Sequence, residues 1–489
     1  MSLKLFGKNT VIYAVGNIGL RGASFLLIPI YTYFLSQSDY GLLATLLISI
    51  QLMLILANLG MQTCLVRFTK EYEDSDRLGA LVGSCAVLNI LAGLTLAGVS
   101  FALLMPFFRS ILHIDDVRLY MGMVCGVVML ESLNTLVMSY YRVQNQALRF
   151  SIIGISLAVT LALASFILIR VCNLGTKGAL LAYMITYGGG LLFVSLDVLP
   201  KTGFGVSLSL MPKLLRFGFP LVFSNTGQTA IGAVGVYLLS YFAGLEAVAI
   251  YALGWKLAGL MGVVLTYPFS LAFQPYVFTN LNSADIKARV SRLLTYLVLG
   301  ITFVSFALLA GARVLLLLIA PPEYASSYLV ILLLVPGMAF AAMYYFGGTL
   351  ITAVQKTYLL GLIVTIGAMI SLLLNYTLIP AISWYGAVLA LDATHILVGS
   401  TLFIMARKMF PIPVEWKRIG IAAILLTSFV FIFLFIRSAN LVLFPLLSLL
   451  AALVGVLVLF VFQFFHHDER TAIRKLIRGL RRAKARELA

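Results

Sequence analysis

Charged side chains are scarce in this sequence: 10% of its 489 residues are Asp, Glu, Lys or Arg, while 62% are hydrophobic and the mean hydropathy is +1.06. With so little charge the chain is nearly all membrane-spanning material, and a count of soluble domains does not apply. Cysteine is scarce too. Cys64, Cys85, Cys125 and Cys172 lie in or at the ends of apolar runs without metal-ligand spacing, and they read as apolar thiols. No Gly-x-x-x-x-Gly-Lys-Ser/Thr loop occurs, which excludes ATP binding in the P-loop manner. Neither His-Glu-x-x-His nor Gly-x-Ser-x-Gly is present. Gly16, Gly19 and Gly22 have no soluble strand-turn-helix around them, so they read as close-packing positions between helices. No cofactor or metal is expected, and no soluble loop is large enough to hold a nucleotide sugar.

What is present is a series of apolar runs. A span needs about 20 mostly apolar residues. Fourteen are expected, at roughly 10–35, 40–65, 78–105, 118–140, 150–169, 178–197, 213–243, 247–271, 290–318, 326–353, 357–379, 384–405, 419–436 and 441–465. They are too long for barrel strands and do not alternate apolar and polar residues, so the expected fold is an all-α polytopic membrane protein. The first run follows Lys4 and Lys8 but is too long for a signal peptide, and no small-residue cleavage site follows it; it reads as an uncleaved first helix. With the N-terminus inside, 26 of the 34 Lys and Arg residues fall on the cytoplasmic side and six on the other, with Arg21 and Lys256 left inside spans. That asymmetry fits the positive-inside rule with both termini cytoplasmic, and the basic balance needs no nucleic acid to explain it. Beyond His467, residues Ile473, Leu476, Ile477 and Leu480 share a helical face amid eight basic residues between Arg470 and Arg486. This tail, 467–489, reads as an amphipathic helix on anionic lipid headgroups, or as a docking site for a partner enzyme.

A shift of 211 residues lays the chain on itself. Phe6-Gly7 then meets Phe217-Gly218, Gly16 meets Gly227, Tyr40 meets Tyr251, and Val143-Gln144 meets Val354-Gln355. Near the next loop the offset drifts to 208, where Gly178-Ala179 meets Gly386-Ala387. Six spans separate the copies, so both have one orientation: a parallel repeat with its axis along the membrane normal. The expected organisation is a six-helix lobe over 1–205, a second over 206–410, two further helices over 411–466 and the tail.

A cation at mid-membrane costs roughly 2.5–3.5 kcal/mol even on the lenient insertion scale, and such residues mark substrate paths or buried partners. Arg21 and Lys256 are therefore the first candidates, as grips for a substrate anion. They are not repeat mates, since Arg21 maps to Gly232 and Lys256 to Thr45. Asn17, Arg21 and Ser24 share one face of the first span, and Gln51, Asn58 and Gln62 lie in the second. Asn225 and Gln228 lie in the seventh. Amides of this kind donate to sugar hydroxyls, and cations grip phosphate. Tyr31, Tyr237, Tyr241 and Trp255 are available either to stack on sugar rings or to anchor helix ends at the interface. Glu131, Asp392 and His395 are deep as well, and read either as internal ion-pairing and hydrogen-bonding groups or as an ion-coupling site.

Fourteen spans, two lobes plus two helices, and cations from spans 1 and 8 resemble the polysaccharide transporter (Wzx-type oligosaccharide flippase) family of the multidrug/oligosaccharidyl-lipid/polysaccharide (MOP) exporter superfamily. The stretch Leu-Ser-Gln-Ser-Asp-Tyr-Gly-Leu at 35–42 is similar to that family's first external turn, and Ala-Gly-Leu-Glu-Ala-Val-Ala-Ile-Tyr-Ala at 243–252 to its counterpart before span 8. Gly175-Thr-Lys-Gly178 and Trp384-Tyr-Gly386 resemble its loops before spans 6 and 12. The resemblance covers about residues 1–465. It implies a non-enzymatic flippase of a bacterial inner membrane that moves polyprenyl-pyrophosphate-linked oligosaccharide, such as an O-antigen repeat unit, to the outer leaflet. A polysaccharide polymerase and a chain-length regulator are the partners it implies. The alternatives are a cation-coupled multidrug exporter of the MATE type and a non-transporting scaffold for glycan assembly.

Overall fold

In hydrocarbon every backbone N–H and C=O must be satisfied inside the chain, and long apolar runs separated by short polar turns have the α-helix as their solution. A computed structural model describes residues 25–464 apart from 73–77, 113, 115, 145, 204, 438–439, 441–442 and 463. Asn17, Arg21 and the tail 467–489 lie outside the described residues, so the expectations placed on them are not addressed by the fold.

The described residues form helices and no strand. The first half comprises α1 (Phe25–Phe34), α2 (Gln37–Asn58), α3 (Met61–Tyr72), α4 (Leu78–Ala102), α5 (Met105–Leu112), α6 (Val117–Val143), α7 (Ala147–Phe166) and α8 (Gly175–Thr202). The second comprises α9 (Met211–Ala243), α10 (Leu245–Ala258), α11 (Tyr267–Thr279), α12 (Ile286–Ile319), α13 (Ser327–Ala353), α14 (Tyr358–Ile382) and α15 (Trp384–Met409). Two more, α16 (Trp416–Ile436) and α17 (Leu443–Val461), follow and pack against α12. Among the described residues, twelve helical stretches are long and apolar enough to cross a membrane, and the shorter apolar pieces Phe25–Phe34 and Thr229–Ala243 fall inside the expected first and seventh spans. The protein is thus an all-α polytopic membrane protein.

The second crossing departs from the single helix expected over 40–65. Ser36 caps α2, its Oγ accepting from the Asp39 amide at 3.1 Å. At the other end Leu59 (φ 45°) and Gly60 (φ 73°) are both left-handed, which ends α2 and redirects α3. Gly60 has a second reason to be glycine: a Cβ there would fall 2.7 Å from the Gly218 carbonyl oxygen of α9. Another crossing is also interrupted, by a π-helical turn at Gly262–Thr266 between α10 and α11.

Two turns, before α8 and before α15, share a local geometry. Asn173 and Ser383, 210 residues apart, both adopt positive φ just before α8 and α15. Shortly after each, a glycine presses on the backbone of the preceding helical segment. A Cβ on Gly178 would lie 2.9 Å from the Leu168 carbonyl oxygen, and one on Gly386 would lie 2.6 Å from that of Leu378. The chain therefore turns in a similar way at these two places, where the glycines are 208 residues apart.

Helices α2 and α10 cross where Gly41 meets Leu245, and a Cβ on Gly41 would overlap the Leu245 carbonyl oxygen. Gly41→Val is expected to cost about 3 kcal/mol of stability. Thermal unfolding of the detergent-solubilised protein should show a lowered midpoint for this variant and none for Gly98→Ala, where an added Cβ meets nothing within 4 Å.

Candidate functional site

The two halves meet along a seam made chiefly by α2 and α3 on one side and α9 and α10 on the other. At the end where α1 turns into α2, the seam is shut by several contacts. Thr32 donates its hydroxyl proton to the Ile319 carbonyl, the rings of Tyr40 and Tyr324 meet edge-on at 5.8 Å, and Gly41 abuts Leu245. Halfway along, Ser49 Oγ and Tyr237 OH are 2.8 Å apart. At the opposite end Gly60 abuts Gly218, Phe68 meets Phe217 edge-on at 5.4 Å, and the Cys64 thiol donates to the Leu214 carbonyl at 3.5 Å. Lys213 Nζ there contacts Glu71 Oε2 at 2.8 Å and lies 4.6 Å from the Phe68 ring centre. Among the described residues the seam is closed at both ends.

Lys256 occupies the last turn of α10, one turn before Gly259 and just ahead of the π-helical turn. Interruptions of this kind are frequent at functional sites. The side chain is half-buried and has no ion-pair or hydrogen-bond partner among the described residues. Its neighbour Trp255 stacks on Tyr251 (centroids 6.1 Å, 24°) and reaches over α9 at Gly232, where an added Cβ would fall 2.8 Å from the indole. Gly232 is the repeat mate of Arg21, so the second half uses the smallest residue, to admit an indole, where the first half carries a guanidinium.

The other predicted residues separate into groups. Asn58 is half-buried at the end of α2 and accepts a hydrogen bond from Asn89 Nδ2 at 3.4 Å. Gln62, half-buried on α3, lines a cavity of about 300 Å³ within the first half. Asn225 and Gln228 lie on α9, their side chains outside what is described. Glu131 on α6 is half-buried and hydrogen-bonded to Tyr187 of α8. Of the aromatic candidates, Tyr31 is buried beside Ser165 (3.3 Å) and Trp255 is committed to Tyr251.

Asp392 and His395 lie one turn apart on α15. Asp392 is 8% exposed, and its Oδ1 has no hydrogen-bond partner among the described residues; nor has His395 Nδ1. The carboxyl occupies a hollow that exists because residue 337 is glycine, since a Cβ there would overlap Asp392 Oδ1. Two further unsatisfied oxygens belong to the same half: Tyr251 OH, within electrostatic reach of Asp392, and Asn375 Oδ1. Both lie against Gly235, at 3.5 and 3.3 Å from a Cβ placed there. The sequence reading missed Asn375 in this role and used Tyr251 only as a repeat marker. The signal that could have found Asn375 was an amide in the middle of an apolar run. No group of three or more His, Cys, Asp or Glu side chains suited to a metal ion occurs among the described residues.

The family model described as polysaccharide biosynthesis protein matches residues 6–281, more than half of the chain. No curated protein matches. Among solved structures, the lipid II flippase MurJ in an inward closed conformation superposes with a TM-score of 0.70 at 15% identity, covering 97% of this chain and 99% of that one. An inward-facing multidrug resistance MATE family transporter of the MOP superfamily gives 0.62 at 13% identity, over 82% of this chain and 95% of that one. The Vibrio cholerae MATE transporter VcmN in its bent form gives 0.55 at 17% identity, over 83% and 96%. The folds are alike across these proteins.

The Lys213–Glu71 contact closes one end of the seam, and the hydrogen bond from Lys213 holds the Glu71 carboxyl below its usual range. The contact is therefore present at neutral pH and is lost as acid brings the pH down through that lowered value. The buried Cys64 thiol beside it reports opening. In Glu71→Lys, Cys64 should react with maleimide several-fold faster than in the parent, and the double variant Glu71→Lys/Lys213→Glu should restore protection, read by mass spectrometry of the Cys64 peptide.

Proposed function

The chain belongs to the polysaccharide biosynthesis protein family, and on that footing we propose that it is a flippase for polyprenyl-pyrophosphate-linked oligosaccharide. The cargo is a surface-polysaccharide repeat unit, O-antigen being one such unit, moved from the cytoplasmic to the outer leaflet of a bacterial inner membrane. The observation that carries this reading is Lys256, a half-buried cation in a seam helix without an anionic partner among the described residues. A solitary ammonium inside a hydrocarbon-spanning bundle calls for a visiting anion.

The physics of the cargo fits such a site. A bilayer stops a pyrophosphate bearing several sugars, whereas the polyprenyl tail is already at home in it. A protein that shelters only the head, leaving the tail in lipid, removes most of the barrier. Lys256, with Arg21 from the first span, offsets the hydration that the pyrophosphate gives up. Asn17, Asn225 and Gln228 supply polar lining beside these cations, whereas Gln62 faces the first-half cavity and Asn58 is bonded to Asn89. The lobes, at about 1–205 and 206–410, rock about the site so that the α3–α9 end opens to the cytoplasm and the α1–α2 end opens to the far side, never both together. Glu131 and the Asp392–His395 pair are the candidates for coupling this cycle to an ion gradient. The basic tail rests on anionic lipid, with a polymerase and a chain-length regulator as assembly partners.

A cation-coupled multidrug exporter is the second reading, since MATE transporters share the fold. The cation at 256, unpaired among the described residues, disfavours it, because an organic cation is repelled from that position.

Each charge-assisted contact to phosphate is worth about 1.5–3 kcal/mol. Lys256→Ala and Arg21→Ala should therefore each lower glycan export tenfold or more at unchanged expression, with Lys256→Arg retaining part of it. Normal export by the alanine variants would overturn the anion grip. In a deletion strain, the lipid-linked glycan should accumulate in the cytoplasmic leaflet and surface glycan should disappear. Normal glycan with heightened sensitivity to cationic dyes would favour the exporter instead. For coupling, Asp392→Asn in proteoliposomes should remove most of the gradient dependence of flipping, and full retention of that dependence would exclude Asp392.

A further inference from the structure

The cavity that Gln62 lines lies wholly within the first half, away from Lys256, and it is built from α3, α6, α7 and α8 with Leu27 of α1. Among the described residues no Asp or Glu lines it, and the charged group there is Arg142, exposed near the end of α6. At about 300 Å³ it has the size of a small-ligand site.

The hydrogen-bonding capacity of its walls is unevenly used. Thr135 and Ser139 spend their hydroxyls on backbone carbonyls of their own helix. Tyr187 is bonded to Glu131 and Tyr183 to Tyr31, so these two phenols contribute ring surfaces, with centroids 6.0 Å apart. Asn134 Nδ2 and Thr186 Oγ1 are different. Their residues are 1% and 2% exposed, and neither atom has a partner among the described residues. Gln62 has none either. Buried polar groups in native proteins are nearly always satisfied, so unspent ones on a cavity wall point to an occupant.

Resting on the flippase reading above, we propose that this cavity receives one sugar ring of the lipid-linked head group, with Asn134, Thr186 and Gln62 as its hydrogen-bond partners. The chemistry matches on three counts. Neutral amides and a hydroxyl pair with ring hydroxyls in either sense. Tyrosine faces cover the C–H side of a pyranose. Glu131 stands behind the wall, bonded to Tyr187, and Arg142 is at the rim, so charges of both signs flank a neutral lining that suits a neutral sugar. The volume takes one or two rings, so the cavity reads the identity of a sugar and not the length of the glycan.

The test uses the full chain in proteoliposomes with two probes, polyprenyl pyrophosphate and the same lipid carrying a single N-acetylhexosamine. The readout is the ratio of the two translocation rates. In Asn134→Leu/Thr186→Val the ratio of sugar-bearing to sugar-free transport is expected to fall about tenfold. Because such a variant can fail to fold, Thr135→Cys is examined in parallel on a background in which Cys64, Cys85, Cys125 and Cys172 are changed to alanine. There the cavity is filled with a bulky maleimide after reconstitution, and the same fall in ratio is expected on labelling. A ratio that does not change in the labelled protein overturns the sugar site, whatever happens to the absolute rates. A parent protein that moves neither probe overturns the flippase reading itself, and the inference with it.

Discussion

A helix in lipid gains no hydrophobic free energy from meeting another helix, because the acyl chains it leaves are as apolar as the side chains it meets. Association depends on close approach of backbones. In this protein that approach is made at the seam, where Gly41 lies against Leu245 and Gly60 against Gly218. The rest of the architecture hangs on those contacts. They set where α10 presents Lys256, hold α9 against α2, and leave the first-half cavity to one side of the interface. Gaining so much from glycine has a local cost, since two consecutive left-handed residues must break the second crossing.

The two halves share a turn geometry and differ in chemistry. Among the described residues, the unspent polar groups on the first-half cavity are neutral: Gln62, Asn134 and Thr186. In the second they are ionisable or suited to cations: Lys256, Asp392, His395, Tyr251 and Asn375. The two turns before α8 and α15 are alike in geometry, and the polar residues set around them differ.

Much of this architecture is legible in the sequence. Length and hydropathy alone give the all-α polytopic architecture, because the bilayer fixes how many apolar residues a helix needs. The repeat was legible because small residues at tight turns, Gly178 and Gly386, survive in register. Lys256 and Asp392 stood out because charge in an apolar run is expensive. What stayed hidden depends on which helices become neighbours. Asn134 and Thr186 are ordinary one at a time, and only the meeting of α6 with α8 makes a cavity wall of them. Asn58 read as free lining, yet Asn89 of α4 already occupies it. The break at Leu59–Gly60 escaped because apolar residues continue through it without interruption.

The connection between the halves is not slack chain. Gly205 donates its amide proton to the Gly79 carbonyl, Ser207 is tied to Ser84, and the first turns of α9 pack through Leu214 into the Cys64 and Leu81 cluster of the first half. Helix α9 therefore begins as part of one lobe and ends as part of the other, with Pro220 between the two stretches. A lever fixed at one end moves by flexing, so angular motion between the lobes must be absorbed inside α9, near the proline, and not in the connecting loop. The linker can then drift in sequence or length with little effect on the swing, whereas the stiffness of a single helix sets how far and how fast the molecule turns.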